Sequence, residues 1–362
     1  MIIKIRPLDT LFFRTGKPFT MGEDTWAESL FPPYPSTLYG AIRSFLIFQR
    51  EGLKAFKNGK YKDDIGTPDK KGSLKIKGPL LSKNSELFFP APLDLAKLEE
   101  RLISLVFIKK PQAFISDYPL SHILINKSKD QVKESEGWLT DIEFKDYLKN
   151  KKTEISFIKS IDLFLSEPKI GIARKKFTLT TKEGYLYRIP LIRVKEKISL
   201  VAEVEGISDM PKTGIIQLGG ESKGVKFEVI ENIFERLENI DLNLENKFFK
   251  IYFATPAVFK KGWIPEWINE ENFEGEYPKP GGVKLKLVGC AIGKPIHIGG
   301  WDIAKNRSKP LYKAIPPGSV YYFKVLDNSD SLKIKETFHF KNISDLNPEE
   351  GFGLSIVGEV KL

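Results

Sequence analysis

The chain has 362 residues, with 57 lysines and arginines against 47 aspartates and glutamates, a net charge of +10. That length admits two domains, 41% hydrophobic content supplies a core, and the basic balance suits a polyanionic partner. The single cysteine, Cys290, excludes an intrachain disulfide framework and a cysteine-based zinc site. No apolar run reaches the ~18 residues of a membrane span, and M-I-I-K-I-R-P-L-D lacks a secretory core, so the cytoplasm is the expected compartment.

Ile3 and Ile5 alternate with Lys4 and Arg6, the period of a half-buried strand that ends at Pro7. An irregular, aromatic-anchored loop is expected over 8–25, carrying Arg14 and Lys17. Phe31-Pro32-Pro33-Tyr34-Pro35 is stiff and extended. Ser36 then reads as the N-cap of a helix on Leu38, Ile42, Phe45, Leu46 and Gln49, with Gly52 placed to end it. Gly40 and Arg43 fall on another stripe of that helix.

Residues 109–160 break the pattern and read as an insertion with a short helix from Asp141. Strands at 170–179 and 185–194, joined by T-T-K-E-G, predict a hairpin, and Ile198 to Val204 alternates as a further strand. After G-I-I-Q-L-G-G-E-S-K-G (214–224), the chain predicts a short helix at 233–244 and strands at 248–253, 284–288 and 320–325. Two α+β domains, 1–205 and 206–362, fit this order.

The 214–224 stretch has two readings. Adjacent glycines mark a hairpin turn; they also let another chain approach backbone N–H groups, and Lys223 on the same turn suits an anion. Glu221 stands where a dinucleotide fingerprint needs its second glycine, and no phosphate-binding G-x-x-x-x-G-K-[ST] occurs, so no nucleotide cofactor is expected. His122, His297 and His339 are far apart and read as structural, the latter two as strand positions. Asp63-Asp64 lacks a metal-ligand partner at readable spacing, and no metal site is indicated. The positive signal is basic. Arg174, Lys175 and Lys176 lie on one hairpin arm, with Tyr185, Tyr187 and Arg188 on the other. Lys305, Arg307 and Lys309 follow Gly299-Gly300-Trp301-Asp302 in a loop. Cations beside aromatic rings suit a single-stranded nucleic acid, phosphates on the charges and bases on the rings. A solvated hairpin is the alternative.

Five stretches in order carry a family resemblance: P-L-D-T-L-F-F-R-T-G-K-P-F (7–19), S-L-F-P-P-Y-P-S-T-L-Y-G-A-I-R (29–43), I-G-I-A-R…E-G-Y-L-Y-R (170–188), L-G-G-E-S-K-G (218–224) and G-G-W-D…K-P…A-I-P-P-G-S-V-Y-Y-F (299–323). Together they resemble the third-subunit family of the type III-B CRISPR (Cmr) effector complex, within the RAMP superfamily. The resemblance implies two ferredoxin-like, RRM-related domains with insertions and a protruding β-hairpin. It also implies a non-catalytic subunit that holds the 5′ repeat-derived tag of a guide RNA and joins the large polymerase-like subunit to the backbone RAMP subunits. The family's glycine-rich loop falls on Gly219, Gly220, Glu221, Ser222, Lys223 and Gly224. Ser222 and Lys223 stand where such loops often carry arginine, so phosphate contact would come from Lys223 and backbone N–H groups. The hairpin around Arg174 matches the thumb that props the guide open. Arg14, Lys17, Arg43, Arg174, Lys175, Lys176, Gly219, Gly220, Ser222, Lys223, Gly224, Lys305, Arg307 and Lys309 are the expected RNA contacts. The alternative is a metal-independent RAMP endoribonuclease that processes the guide precursor, with His122 or Tyr185 as base.

Overall fold

The computed structural model describes residues 1–15, 28–175, 177–178, 180–244, 247–278 and 280–361, without the side chains of 173 and 182–187. It is mixed α+β and mostly strand, and it divides into two compact units that are interleaved in sequence. Unit 1 holds 1–84, 160–231 and 297–312; unit 2 holds 85–159, 232–296 and 313–362. The strands Ile198–Glu205 and Thr213–Gln217, on either side of the expected division, both lie in unit 1.

In unit 1 five strands run antiparallel in the order Thr213–Gln217, Gly224–Ile230, Ile2–Pro7, Ile198–Glu205, Lys75–Lys83. The first strand of the chain is therefore central. Ile3 pairs with Ala202 and Val229, Ile5 with Leu200 and Phe227, and both isoleucines are fully buried. Helix α1 (Pro35–Gln49) covers this sheet with Leu38, Ile42 and Leu46, and Phe45 meets Phe227 edge-on at 5.3 Å. Burying each such aliphatic side chain contributes about 1.5–3 kcal/mol. The helix starts earlier than the Ser36 cap predicts. Tyr34 holds the cap position without a side-chain hydrogen bond, and Pro35 opens the first turn, where its missing N–H costs nothing.

The long hairpin of unit 1 pairs Phe164–Arg174 with Thr181–Val194, and its register shifts between Ile172 and Arg174. Its connection is not T-T-K-E-G. Lys175 N–H reaches Thr180 C=O at 2.8 Å, and 181–184 already belong to the return strand. The β-branched Thr181 pairs with Arg174 and extends the ladder past the glycine that looked like the turn.

Unit 2 is built on an antiparallel sheet in the order Glu274–Tyr277, Val283–Ala291, Val320–Val325, Phe248–Phe253, Leu354–Glu359, Lys341–Asn342. The expected strands at 248–253, 284–288 and 320–325 all lie in it. The expected helix at Asp141 is α2 (Asp141–Leu148), capped by Thr140 Oγ1, which accepts from Glu143 N–H at 3.4 Å. The segment around it also contributes strands, Val106–Lys109 paired with His122–Ile125. The helix expected at 233–244 shrinks to the single turn Glu235–Glu238. Leu237 and Ile240 keep helical spacing, but Leu242 and Leu244 bury themselves at a spacing of two, so the chain extends to reach the core.

At the centre of unit 2 sits a buried charge. Asp94 accepts from Tyr147 Oη at 2.8 Å, Tyr322 Oη at 2.6 Å and Lys250 Nζ at 3.4 Å. The Lys250 ammonium also lies 3.5 Å from the centroid of the Tyr147 ring. Burial pushes the Lys250 pKa down and Asp94 opposes that, while burial and then Asp94 raise both tyrosines. His339 is not a strand residue. It caps α3 (Ser331–Phe338), buried, with Nε2 donating to Leu237 C=O at 2.8 Å and Nδ1 accepting from Val357 N–H at 3.2 Å.

Two outcomes follow for stability. Asp94→Ala strips three donors of their shared acceptor and should destabilise unit 2 by about 3–5 kcal/mol, read from urea unfolding. Burial holds the His339 pKa at about 4. The unfolded imidazole, with a pKa near ~6.5, takes up its proton first, so stability should fall as pH drops from about 6.5 to 4, at up to about 1.4 kcal/mol per pH unit. His339→Gln, which cannot titrate, should show a correspondingly flatter pH dependence.

Candidate nucleic-acid interface

The glycine-rich stretch is a hairpin turn, and it is also a clamp on the protein's own chain. It joins Thr213–Gln217 to Gly224–Ile230, closed by Leu218 N–H on Lys223 C=O at 2.9 Å. Gly219 takes a φ of +83°, and a Cβ there would stand 2.4 Å from Phe12 O. Gly220 N–H donates to the same Phe12 carbonyl at 2.8 Å. The close approach that glycine permits is thus made by residue 12. Lys223 is turned the same way, its Nζ 3.2 Å from both Asp9 Oδ2 and Thr10 Oγ1. Asp9 sits below the usual carboxylate range, first through the Thr10 backbone N–H and then through Lys223.

The other side of the N-terminal segment is held by the long hairpin. Leu11 and Ile192 exchange backbone hydrogen bonds at 2.8 and 2.7 Å, and Phe12 is buried against Ile189 and Leu191. Lys169 on the hairpin faces Glu221 on the glycine turn at 3.6 Å. Around this junction Lys169, Arg193 and Lys223 are balanced by Glu221, Glu167 and Asp9. The expected cation of the turn is already neutralised by protein. Ser222 is exposed on the turn in a left-handed conformation (φ +53°), and Gly224 opens the following strand.

From this clamp the chain leads to Arg14 and into a groove of ≈ 1080 Å³ in unit 1. Four distant segments wall it: Arg14 and its neighbours, the face of α1 bearing Ser36 and Arg43, the glycine turn at Gly219 and Gly220, and the loop 299–311. Arg43 faces inward but is committed: its guanidinium donates to Ile65 C=O at 3.1 Å and Thr67 C=O at 2.7 Å, and lies 4.8 Å from the Phe56 ring centroid. The 299–311 loop is a small hairpin, with Trp301 paired to Ser308 and Asp302 to Arg307. Lys305 anchors it to Asp69 at 2.8 Å and holds that carboxyl below its usual range. Lys309 lines the groove, and Arg307 is exposed on the returning arm.

The remaining candidates lie elsewhere. Arg174 and Lys175 are exposed at the far end of the long hairpin, on the side of unit 1 built by that ladder. Lys17 and Lys176 fall outside the described residues, as does the Tyr185 side chain. His122 belongs to unit 2. Its ring stacks on Phe107 at 4.8 Å, its Nδ1 is 2.9 Å from Ser121 Oγ, and burial, then Lys109 and Lys324, lower its pKa.

The groove also has an apolar lining, which no motif in the sequence marks. Phe48, Ile215, Ile303 and Leu311 line it and are exposed. Two of them could have been found. Phe48 stands off the stripe made by Leu38, Ile42 and Leu46, and Ile215 alternates with the buried Ile216.

A family model described as CRISPR-associated protein (Cas_Cmr3) matches residues 3–360. The CRISPR system CMR subunit Cmr3 of Saccharolobus solfataricus is 25% identical over 336 residues, covering 90% of this chain and 87% of that protein. Among solved structures, a chain of the type III-B Cmr-beta bound to cognate target RNA and AMPPnP superposes with a TM-score of 0.52 at 19% identity. A chain of the same assembly bound to cognate target RNA gives 0.51 at 20% identity. In both, 89% of this chain and 86% of the other are covered; at these identities the likeness is one of fold.

The clamp has a direct test. Gly219→Ala forces a Cβ against the Phe12 carbonyl as well as an alanine into the left-handed region, and should lower stability by about 1–3 kcal/mol in urea unfolding. Gly262→Ala is the control: its φ is +79° but nothing lies within 4 Å of the new Cβ, so its cost should be the smaller. Lys223→Ala should raise amide exchange over residues 9–13 while leaving the α1 amides protected.

Proposed function

From the membership of this chain in the Cas_Cmr3 family of CRISPR-associated proteins, we propose that it is a non-catalytic RNA-binding subunit of a type III-B ribonucleoprotein. It holds the 5′ repeat-derived tag of the guide RNA and stands between the large polymerase-like subunit and the backbone RAMP subunits, in antiviral defence. The observation that carries the reading is convergence. Segments near residues 14, 36–48, 219 and 299–311, which no local structure requires to meet, wall one groove. The curated relative is itself named a subunit, and the solved neighbours are complexes bound to RNA. The antiparallel sheet of unit 1, with its first strand central and α1 across it, is what a ferredoxin-like domain would present, and we extend that reading to unit 2.

On this reading the positive charge works in two places. The far end of the long hairpin offers Arg174 and Lys175 to phosphates, and the groove takes the tag. Several cations near the groove are already bound by protein, Arg43 and Lys305 among them. Phosphate contact by the hairpin should therefore carry much of the salt dependence.

Arg174→Ala with Lys175→Ala should weaken binding of a tagged guide by the assembled complex. It should also flatten the slope of log affinity against log salt by about 0.7 per lost phosphate contact. Unchanged affinity and slope would remove the hairpin from the RNA path. Labelled repeat RNA incubated with the protein in EDTA should stay intact; specific cuts lost on changing His122 would make the protein a ribonuclease instead.

A further inference from the structure

We propose that Trp301 is the platform on which an unpaired base of the guide's tag stacks, so that the groove holds RNA mainly by its bases; this deepens, and rests on, the reading of the groove given above. Trp301 is 56% exposed, lines the groove, and makes no ring contact with any described residue. A bare indole of this size has no folding reason to face outward, since burying it would bring a large hydrophobic gain.

Its mounting is stiff. Trp301 lies on a short ladder with Ser308, Lys309 N–H closes the hairpin on Gly300 C=O at 2.9 Å, and Asp302 accepts from Lys305 N–H at 3.0 Å across the turn. The Lys305–Asp69 ion pair ties the hairpin to the body of unit 1. The backbone that carries the ring therefore has little conformational freedom to lose on binding.

The occupant is argued from charge and shape. Between residues 299 and 312 the loop carries Lys305, Arg307 and Lys309 against the single acid Asp302, so its field favours a polyanion. Yet Lys305 is spent on Asp69, and Arg43, facing the same groove, on two carbonyls. Lys305 is thus cancelled by its partner, Arg43 keeps its charge with its donors engaged, and Arg307 and Lys309 supply the rest of the loop's positive field, so local phosphate grip is reduced. Beside Arg14 and Lys309, the groove offers at close range an aromatic plane, apolar flanks at Phe48 and Ile215, and the hydroxyl of Ser36. That combination suits the faces of bases and the 2′-hydroxyl of a single strand.

The experiment uses the complex assembled on guides with 2-aminopurine placed singly through the tag. At one or two positions the fluorescence should be quenched in the wild type, restored in Trp301→Ala, and quenched again, in part, in Trp301→Phe. Affinity for the tagged guide should fall about 5- to 150-fold in Trp301→Ala, the range expected for one stacked base. The salt slope should stay unchanged, in contrast to the hairpin variants. Wild-type binding with fluorescence indifferent to Trp301→Ala overturns the platform alone. Loss of a neighbouring protein subunit in that variant, with tag fluorescence still quenched, makes the groove a protein-docking site and overturns it as well. A wild-type complex that does not bind the tag overturns both this inference and the reading beneath it.

Discussion

The site depends on one backbone contact, the Phe12 carbonyl seated on the glycine turn. Gly220 N–H donates to that carbonyl, and Gly219 lets it come closer than any side chain would allow. A single hydrogen bond of this kind contributes about 0.5–1.5 kcal/mol, and the solvent-screened Lys223–Asp9 pair adds little. The contact matters for position more than for energy. It fixes residues 9–13 between the glycine turn and the base of the long hairpin, and so fixes where Arg14 enters the groove. A turn that reads as a cradle for a foreign phosphate is a cradle for the chain's own carbonyl, with its cation folded inward.

This shifts the expected chemistry of recognition. A loop whose lysine is neutralised by Asp9 and whose glycines are filled by Phe12 supplies little phosphate affinity of its own. The same occupation recurs at Arg43, held by two carbonyls, and at Lys305, held by Asp69. A net charge of +10 would raise the encounter rate with any polyanion, and at close range the groove presents shape and apolar surface. Arg174 and Lys175 are exposed at the end of a ladder whose strands span 11 and 14 residues, which suits them to reach a backbone.

How much of this was legible follows from whether the signal was local. The first strand and α1 were legible because Ile3, Ile5, Leu38, Ile42 and Leu46 repeat at their structural periods and are all buried. The end of the helix expected at 233–244 was not, because Leu242 and Leu244 answer to a distant core. His339 looked like a strand residue between two phenylalanines, yet its ring links Leu237 to Val357 across more than a hundred residues of chain. Asp94 gave no sign at all. Its tyrosines and lysine come from positions 147, 322 and 250, and one aspartate in a P-L-D-L stretch has no pattern. Four of the five stretches that carry the resemblance contribute to the groove's wall, but the resemblance could not show that Arg43 and Lys223 are engaged by their own protein.

Asp94 also explains how the helical insertion is held. It lies within 85–159 of unit 2, as does Tyr147 on α2, whereas Lys250 and Tyr322 belong to adjacent strands of the main sheet. Asn150, just past α2, donates a hydrogen bond to Glu359 C=O in the strand Leu354–Glu359. A buried carboxylate costs several kcal/mol to desolvate, and hydrophobic packing of equal volume would often be as stable. What an apolar contact lacks is direction. Three donors converging on one carboxylate admit few alternative registers, so the inserted segment can dock on the sheet in one position only. The same logic operates at Phe12 in unit 1: in each unit a segment without a strong period of its own is placed by a polar contact that allows a single seating.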